Sequence, residues 1–370
     1  MATGTGGSRS TVLSSEERAE EAPPKAKASG KPVPAGLRRL GIPAWGSSSM
    51  SLGSSGAIPG ITVMVVLYVV YMIISHQPRN LSGFSTILGE AATVGLAGVG
   101  EAIVVLSGGY DLSAGAVVGV VNVTLATRTG TAGGVVPLIL IGLAVGVAAG
   151  ILNGVAVALL RVPPIIATLG SLFIWEGVAL LILPQPGGIV AQGFVNDLTN
   201  SIGGLPMPLI LFVIAALVWR LVKYTRAGRH IYMLGGDTDS TRANGIDVRR
   251  SRLFTYGFAG LFYGLAGLFY TATTTSGDPT TGSSLLLPIF AAVVLGGIFF
   301  GGGKGDPAAA IIGSMTLTLI SDVLYAFGIS SFYTGVFDGA ALIVALAISV
   351  LSGRLVIRRR AHPGSKGAVA

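Results

Sequence analysis

Val104-Val105-Leu106-Ser107-Gly108-Gly109-Tyr110-Asp111-Leu112-Ser113-Ala114-Gly115 joins two apolar segments, and its reading decides the fold. A glycine pair followed by Asp and Ser marks a bend at a membrane-helix boundary. Glycine reaches backbone dihedrals closed to other residues, and the Asp111 and Ser113 side chains can cap the next helix by accepting its free N–H groups. The residues suit a plain capped hairpin, which any polytopic protein needs, or the broken helix boundary of a transporter.

Composition places the turn in a bilayer. Of 370 residues 51% are hydrophobic and 11% charged, and the mean hydropathy is +0.75, outside the range of soluble domains. At roughly 20 apolar residues per span there is room for about ten transmembrane helices and for no sizeable soluble domain. The expected fold is therefore all-α and polytopic.

Apolar stretches recur at about 57–75, 87–106, 112–127, 134–160, 164–183, 205–222, 253–275, 285–300, 307–327 and 333–351. The segments at 112–127 and 285–300 are short for a full span, so bent or partial crossings are expected. Residues 1–56 are rich in Gly, Ser, Pro, Ala and charge, with Glu16, Glu17, Glu20 and Glu21 ahead of Lys25, Lys27 and Lys31, and read as a disordered cytoplasmic tail. No apolar core suited to a signal peptide precedes Ile61, so the tail is expected to be retained. The expected transmembrane body covers 57–352 and a basic cytoplasmic tail 353–370.

Basic residues concentrate in cytoplasmic loops. With an interior N-terminus and an even number of crossings, the exterior loops receive Arg79 and Arg128, whereas the interior receives fifteen basic residues, among them Arg161, eight from Arg220 to Arg252, and Lys304. Both termini are expected in the cytoplasm. The net charge of +8 is thus topogenic and does not signal nucleic-acid binding. No cysteine occurs, and His76, His230 and His362 lie scattered, so no metal site is expected.

Gly142, Gly146, Gly150 and Gly154 repeat every fourth residue, giving a helix face that admits close backbone approach. Glu90 and Glu101 also share a face of one helix, about 16 Å apart along its axis, with Ala97 leaving volume beside them. A carboxylate inside a bilayer is costly, which makes Glu101 a candidate for the substrate pathway or else for a helix–helix hydrogen bond; Glu90, nearer the boundary, can snorkel. Trp175 and Glu176 pair a stacking ring with a hydroxyl acceptor, as expected where a polyol meets protein, and are candidates for the substrate pathway; adjacent helix residues point about 100° apart, so the two need not face one cavity.

The largest polar insertion, about 223–252, contains Gly235, Gly236, Asp237, Asp239, Arg242, Gly245 and Ile246. Asp237 or Asp239 can cap a short helix that Gly245 stops. The segment is either a docking element or an ordinary topogenic loop. Gly301-Gly302-Gly303-Lys304 lacks the distal glycine and the Ser or Thr of a phosphate loop. No other nucleotide fingerprint occurs, so any ATP is expected to be used by a separate chain.

Five pieces now fall in order: Ser107 to Gly115, Asn153-Gly154, Pro163-Pro164-Ile165-Ile166-Ala167-Thr168-Leu169-Gly170, Gly235-Gly236 with Gly245-Ile246, and Ala291-Ala292-Val293-Val294-Leu295-Gly296-Gly297. Together they resemble the ribose-type permeases of bacterial ABC importers, the branched-chain/ribose/xylose/galactose permease family of binding-protein-dependent systems, from about Asn80 to Leu351. The resemblance implies a multi-pass subunit of the bacterial inner (plasma) membrane that pairs with a second permease copy, as a homodimer or with a sister chain. It would take a monosaccharide of ribose, xylose or galactose type from an extracytoplasmic sugar-binding protein and be driven by a cytoplasmic ABC ATPase. The chain would bind no cofactor and would not be an enzyme. The 235–246 loop would be the coupling element, and Gly108, Gly109, Asp111 and Ser113 a structural or gating turn.

Departures accompany the likeness. The family commonly carries Asn and an Ala-rich stretch where this chain has Asp237, Asp239 and Ser240, which implies a dedicated ATPase. It often has Glu-Leu-Asp where Leu286-Leu287-Pro288 stands, and Glu101 occupies a position often uncharged. The residues alone also allow a proton-coupled secondary transporter using Glu90, Glu101 and Glu176 as a relay. An intramembrane enzyme is disfavoured, since no His, Cys or paired-acid constellation forms a plausible site.

Overall fold

The computed structural model describes residues 4, 57–75, 81–130, 133–333, 335–344 and 347. All but Gly4 belong to one compact unit, Met50–Ala370. The expected tails at 1–56 and 353–370 lie, Gly4 apart, outside the described residues, as do His76, Arg79, His362 and the basic residues after Ser352.

In chain order the helices are α1 (Ala57–Ile74), α2 (Leu81–Leu106), α3 (Ala114–Ala126), α4 (Val135–Ala158), α5 (Pro164–Ile182), α6 (Gln192–Thr199), α7 (Met207–Lys223), α8 (Arg226–Gly236), α9 (Thr238–Ala243), α10 (Val248–Thr274), α11 (Thr281–Leu295) and α12 (Ala309–Ala326). A further apolar helix covers Gly335–Val344. Among the described residues, extended pairing is confined to the isolated bridges Gly187–Gly277 and Ile202–Leu205. Five helices are long and apolar enough to cross a membrane, six if α7 and α8, bent by 82°, form one broken span. The described residues are all-helical, and the chain is a polytopic membrane protein.

The two short segments are short helices here, α3 with 13 residues and α11 with 15. Several boundaries differ from expectation: α11 is shifted toward the N-terminus from the expected 285–300, and two helices start earlier than expected. α2 begins at Leu81, earlier than the apolar run, because Gly83, Ser85 and Thr86 dilute its first turn without stopping it. α10 begins at Val248, inside the basic run, because Asp247 accepts the N–H groups of Arg249 and Arg250 and starts the helix there.

α2 and α10 form the centre. The span within α2 is 83% buried and that within α5 only 17%, so α5 lies at the periphery. α2 packs on α7, α10, α11 and α12, while α10 packs on α2, α3 and α4. The tightest crossing is α4 on α10. A methyl group at Gly146 would strike the Gly260 carbonyl, and one at Gly150 the Tyr256 carbonyl. The four-residue glycine face thus does what its spacing predicts: it lets two backbones meet, where apolar burial gives helices in lipid little reason to associate. Leu96, Ile103, Phe262, Tyr263 and Phe269 fill the adjoining core.

Candidate functional site

α2 ends through its own chemistry. The Ser107 hydroxyl donates to the Val104 carbonyl at 2.7 Å, Gly108 turns the chain at φ 80°, and the Gly109 N–H donates back to Val104 at 3.1 Å. Gly108 is required for conformation and Gly109 for space, since a Cβ there would lie 2.8 Å from the Tyr256 hydroxyl. Tyr110 then fastens the turn to three neighbours. Its hydroxyl donates to the Phe300 carbonyl at 2.7 Å, while its carbonyl accepts from Thr168 at 3.2 Å and from Tyr256 at 3.3 Å.

Asp111 sits beneath, fully buried. Its Oδ1 accepts the Ser113 N–H at 3.0 Å and hydroxyl at 2.6 Å, and Asn153 Nδ2 of α4 lies 3.2 Å from both carboxylate oxygens. Ser113 therefore does not cap α3 with its side chain; the hydroxyl is already committed to Asp111. Glu101, also fully buried, accepts the Asp111 N–H at 3.1 Å and the Tyr263 hydroxyl at 3.1 Å. One polar network thus ties α2, the turn, α4 and α10 together. Neither carboxyl group forms an ion pair with a described Lys or Arg, so neutral donors alone offset their burial.

This differs from the expected open stripe. Ala97 is packed in the main apolar cluster, and Glu101 meets Tyr263 where a cavity was anticipated. Glu90, on the same helix, is exposed. Trp175 and Glu176 do not join the network: Trp175 packs against the cluster of Val120, Val123 and Ala179. Its Nε1 and the Glu176 Oε1 are buried without a hydrogen-bond partner among the described residues.

The polar insertion folds into α8, α9 and the start of α10. Thr225 opens α8 by accepting the Gly228 N–H. Asp237, rather than Asp239, caps α9, accepting the Asp239 N–H at 2.9 Å and the Ser240 hydroxyl at 2.6 Å. The Ser240 hydroxyl foremost, with the N–H groups of Asp239 and Ser240, holds the Asp237 carboxyl below the usual carboxylate range. Gly245 ends the short helix at φ 76°. Asp237, Arg242 and Gly245 are exposed, and Ile246 is half-buried.

The insertion and the turn meet, which the sequence did not indicate. A Cβ on Gly235 would collide with the Leu106 carbonyl and the Gly303 N–H, and Gly303 N–H donates to Leu106 at 2.8 Å. Gly302 and Gly303 take positive φ, 77° and 69°. The end of α8, the end of α2 and the loop before α12 are thus in backbone contact. The loop 301–306, noted in the sequence only as a failed phosphate loop, is the third member of this junction. Asp306 anchors it: its Oδ2 pairs with Lys223 Nζ at 2.6 Å, its Oδ1 accepts Trp219 Nε1 at 2.9 Å, and Tyr232 donates to the Gly305 carbonyl at 3.0 Å. Asp306, Trp219, Tyr232 and Tyr263 escaped sequence reading because none lies in a recognisable spacing; an acid after Gly-Lys-Gly was the available signal.

The family model described as "Branched-chain amino acid transport system / permease component" matches residues 83–346. The ribose import permease protein RbsC of Escherichia coli is 31% identical over 296 residues, covering 78% of this chain and 92% of that protein. The galactose/methyl galactoside import permease protein MglC of Haemophilus influenzae is 29% identical over 310 residues, covering 78% and 92%. The autoinducer 2 import system permease protein LsrC of Yersinia pseudotuberculosis is 32% identical over 305 residues, covering 80% and 84%. No solved structure matches the chain.

Proposed function

We propose, since this chain belongs to the family of branched-chain amino acid transport system permease components, that it is the membrane subunit of an ABC importer for a monosaccharide. The names of its relatives, which state import of ribose, galactose or methyl galactoside, and autoinducer 2, support a small polar cargo. In this reading an extracytoplasmic binding protein delivers the sugar, a separate cytoplasmic ATPase consumes ATP, and a second permease copy completes the path. The chain itself holds no cofactor and performs no covalent chemistry. It crosses the bacterial inner membrane about ten times, the shorter helices included, with both termini in the cytoplasm.

The glycine junction carries the proposal. α8 and α9 present exposed polar residues to a partner, while Gly235 rests on the Leu106 carbonyl and on Gly303. A push on α9 therefore reaches α2 and α12 through backbone with no flexible side chain between, and a two-state path can respond to it. Intramembrane contacts to the sugar are then few and weak, because a tight site would retain it.

Gly235→Val wedges the junction apart, and Asp237→Ala removes the α9 cap. In vesicles holding the complete transporter, both are expected to leave ATP hydrolysis running while uptake falls roughly tenfold or more, the scale of an ordinary coupling free energy. Normal uptake per ATP in both variants would mean that coupling runs elsewhere.

A further inference from the structure

A cleft of about 720 Å³ opens where α4 gives way to α5, beside the start of α10. Arg161, Arg242, Arg249 and Arg252 line it, and Asp247 is the single acidic residue among the lining. Asp247 does little for the four. Its Oδ1 accepts the N–H groups of Arg249 and Arg250, and its Oδ2 pairs at 3.1 Å with Arg250, which is not a lining residue. Arg242 has an open, exposed pair with Asp239 at 3.3 Å, worth little in water. Arg161, Arg249 and Arg252 form no ion pair with described residues.

The arrangement is electrostatically unfavourable as it stands. Arg249 and Arg250 occupy the first turn of α10, where the helix dipole is positive and cations are disfavoured. Arg161 adopts φ 60°, left-handed for a residue with a Cβ, a conformation that persists only where the surroundings enforce it; Pro163 and Pro164 follow and prevent a helix from running through. Three guanidinium groups without an ion pair among the described residues, one of them on a left-handed backbone, make the cleft favourable to an anion.

The other wall names the ligand. Val157, Val162, Pro163 and Pro164 line the same cleft, and Leu159, Leu160, Ile165 and Ile166 beside it are all more than half exposed. Leu159 and Leu160 follow α4 directly and Ile165 and Ile166 begin α5, so this rim lies where spanning helices meet the interface. A ligand with charge at one end and hydrocarbon at the other satisfies both walls. We propose that the cleft binds the headgroup of an anionic phospholipid, its phosphate among Arg161, Arg249 and Arg252 and its acyl chains leaving over the Leu159–Ile166 rim. Arg242 and Ile246 of the lining also belong to the segment that the transport reading gives to the ATPase, but Arg161, Arg249 and Arg252 lie outside it, so lipid binding by the chain alone is tested apart from that reading.

The full chain, purified in detergent, is titrated with phosphatidylglycerol, cardiolipin, phosphatidylcholine and inorganic phosphate, and binding is followed by native mass spectrometry and thermal shift. The anionic lipids are expected to bind and stabilise, with phosphatidylcholine and phosphate inert. Arg161→Gln and Arg249→Gln should each weaken anionic-lipid binding roughly fivefold, and the double variant roughly 25-fold. Arg226→Gln, on exposed α8 surface away from the cleft, should leave it unchanged. The single variants keep the test readable if the double one fails to fold. Equal binding of phosphatidylcholine, or lipid selectivity that survives both single variants, overturns the assignment. Inorganic phosphate reproducing the stabilisation replaces it with a soluble-anion site. Arginine variants that keep lipid but lose the ATPase replace it with a protein-docking surface.

Discussion

Glu101 shows how a residue can be visible in the sequence while its surroundings are not. Its place in an apolar helix marks it as unusual, because an ionisable group inside a bilayer needs a reason. Its partners are the Asp111 N–H and the Tyr263 hydroxyl, ten and 162 positions away, and no local spacing reports a contact of the second kind. Gln at 101 can still accept the Asp111 N–H and can donate to the Tyr263 oxygen, whereas Ala leaves both donors buried and unpaired. Glu101→Ala is expected to lower stability by roughly 2–6 kcal/mol, at about 1–3 kcal/mol per unsatisfied group, and Glu101→Gln by much less. Unfolding in detergent micelles measures both, and equal losses would mean that the charge, not the hydrogen bonds, holds the network. Trp175 and Glu176 stand differently, since two of their polar atoms have no described partner.

Among the elements, the helices most legible in the sequence were those whose ends carry punctuation. Pro163 and Pro164 open α5 and Gly245 closes α9, both where their chemistry places them. α8 was harder to see: Arg226, Arg229 and His230 make its composition loop-like, yet Thr225 caps it and Ile231 and Leu234 anchor it. The glycine face of α4 was readable from its four-residue period. Its partner face, Gly257, Gly260 and Gly264, was not, because Phe262, Tyr263 and Tyr256 crowd the same stretch. This crossing predicts that Gly146→Ala destabilises the bundle by about 1–3 kcal/mol, the usual cost of overpacking, since the added methyl meets backbone at Gly260 and Gly264. Gly170→Ala, with nothing within 4 Å of its Cβ, is the control. Equal melting temperatures for the two variants would show that α4 and α10 separate at no cost.

At the scale of the whole molecule, composition fixes the solvent as lipid, and the arrangement of helices fixes what can move. α2 and α10 are central, and the α8–α9 segment meets the end of α2 at a backbone contact that Gly235 makes possible. The proposed function has the chain moved from outside itself, which separates it from a carboxylate relay that powers its own transport. The decisive measurement is sugar accumulation in proteoliposomes containing this chain, with and without its ATPase and binding protein, under ATP and under a proton gradient. Accumulation that requires both partners and ATP, and that ignores the gradient, is predicted. Uphill uptake by the chain alone would contradict the account.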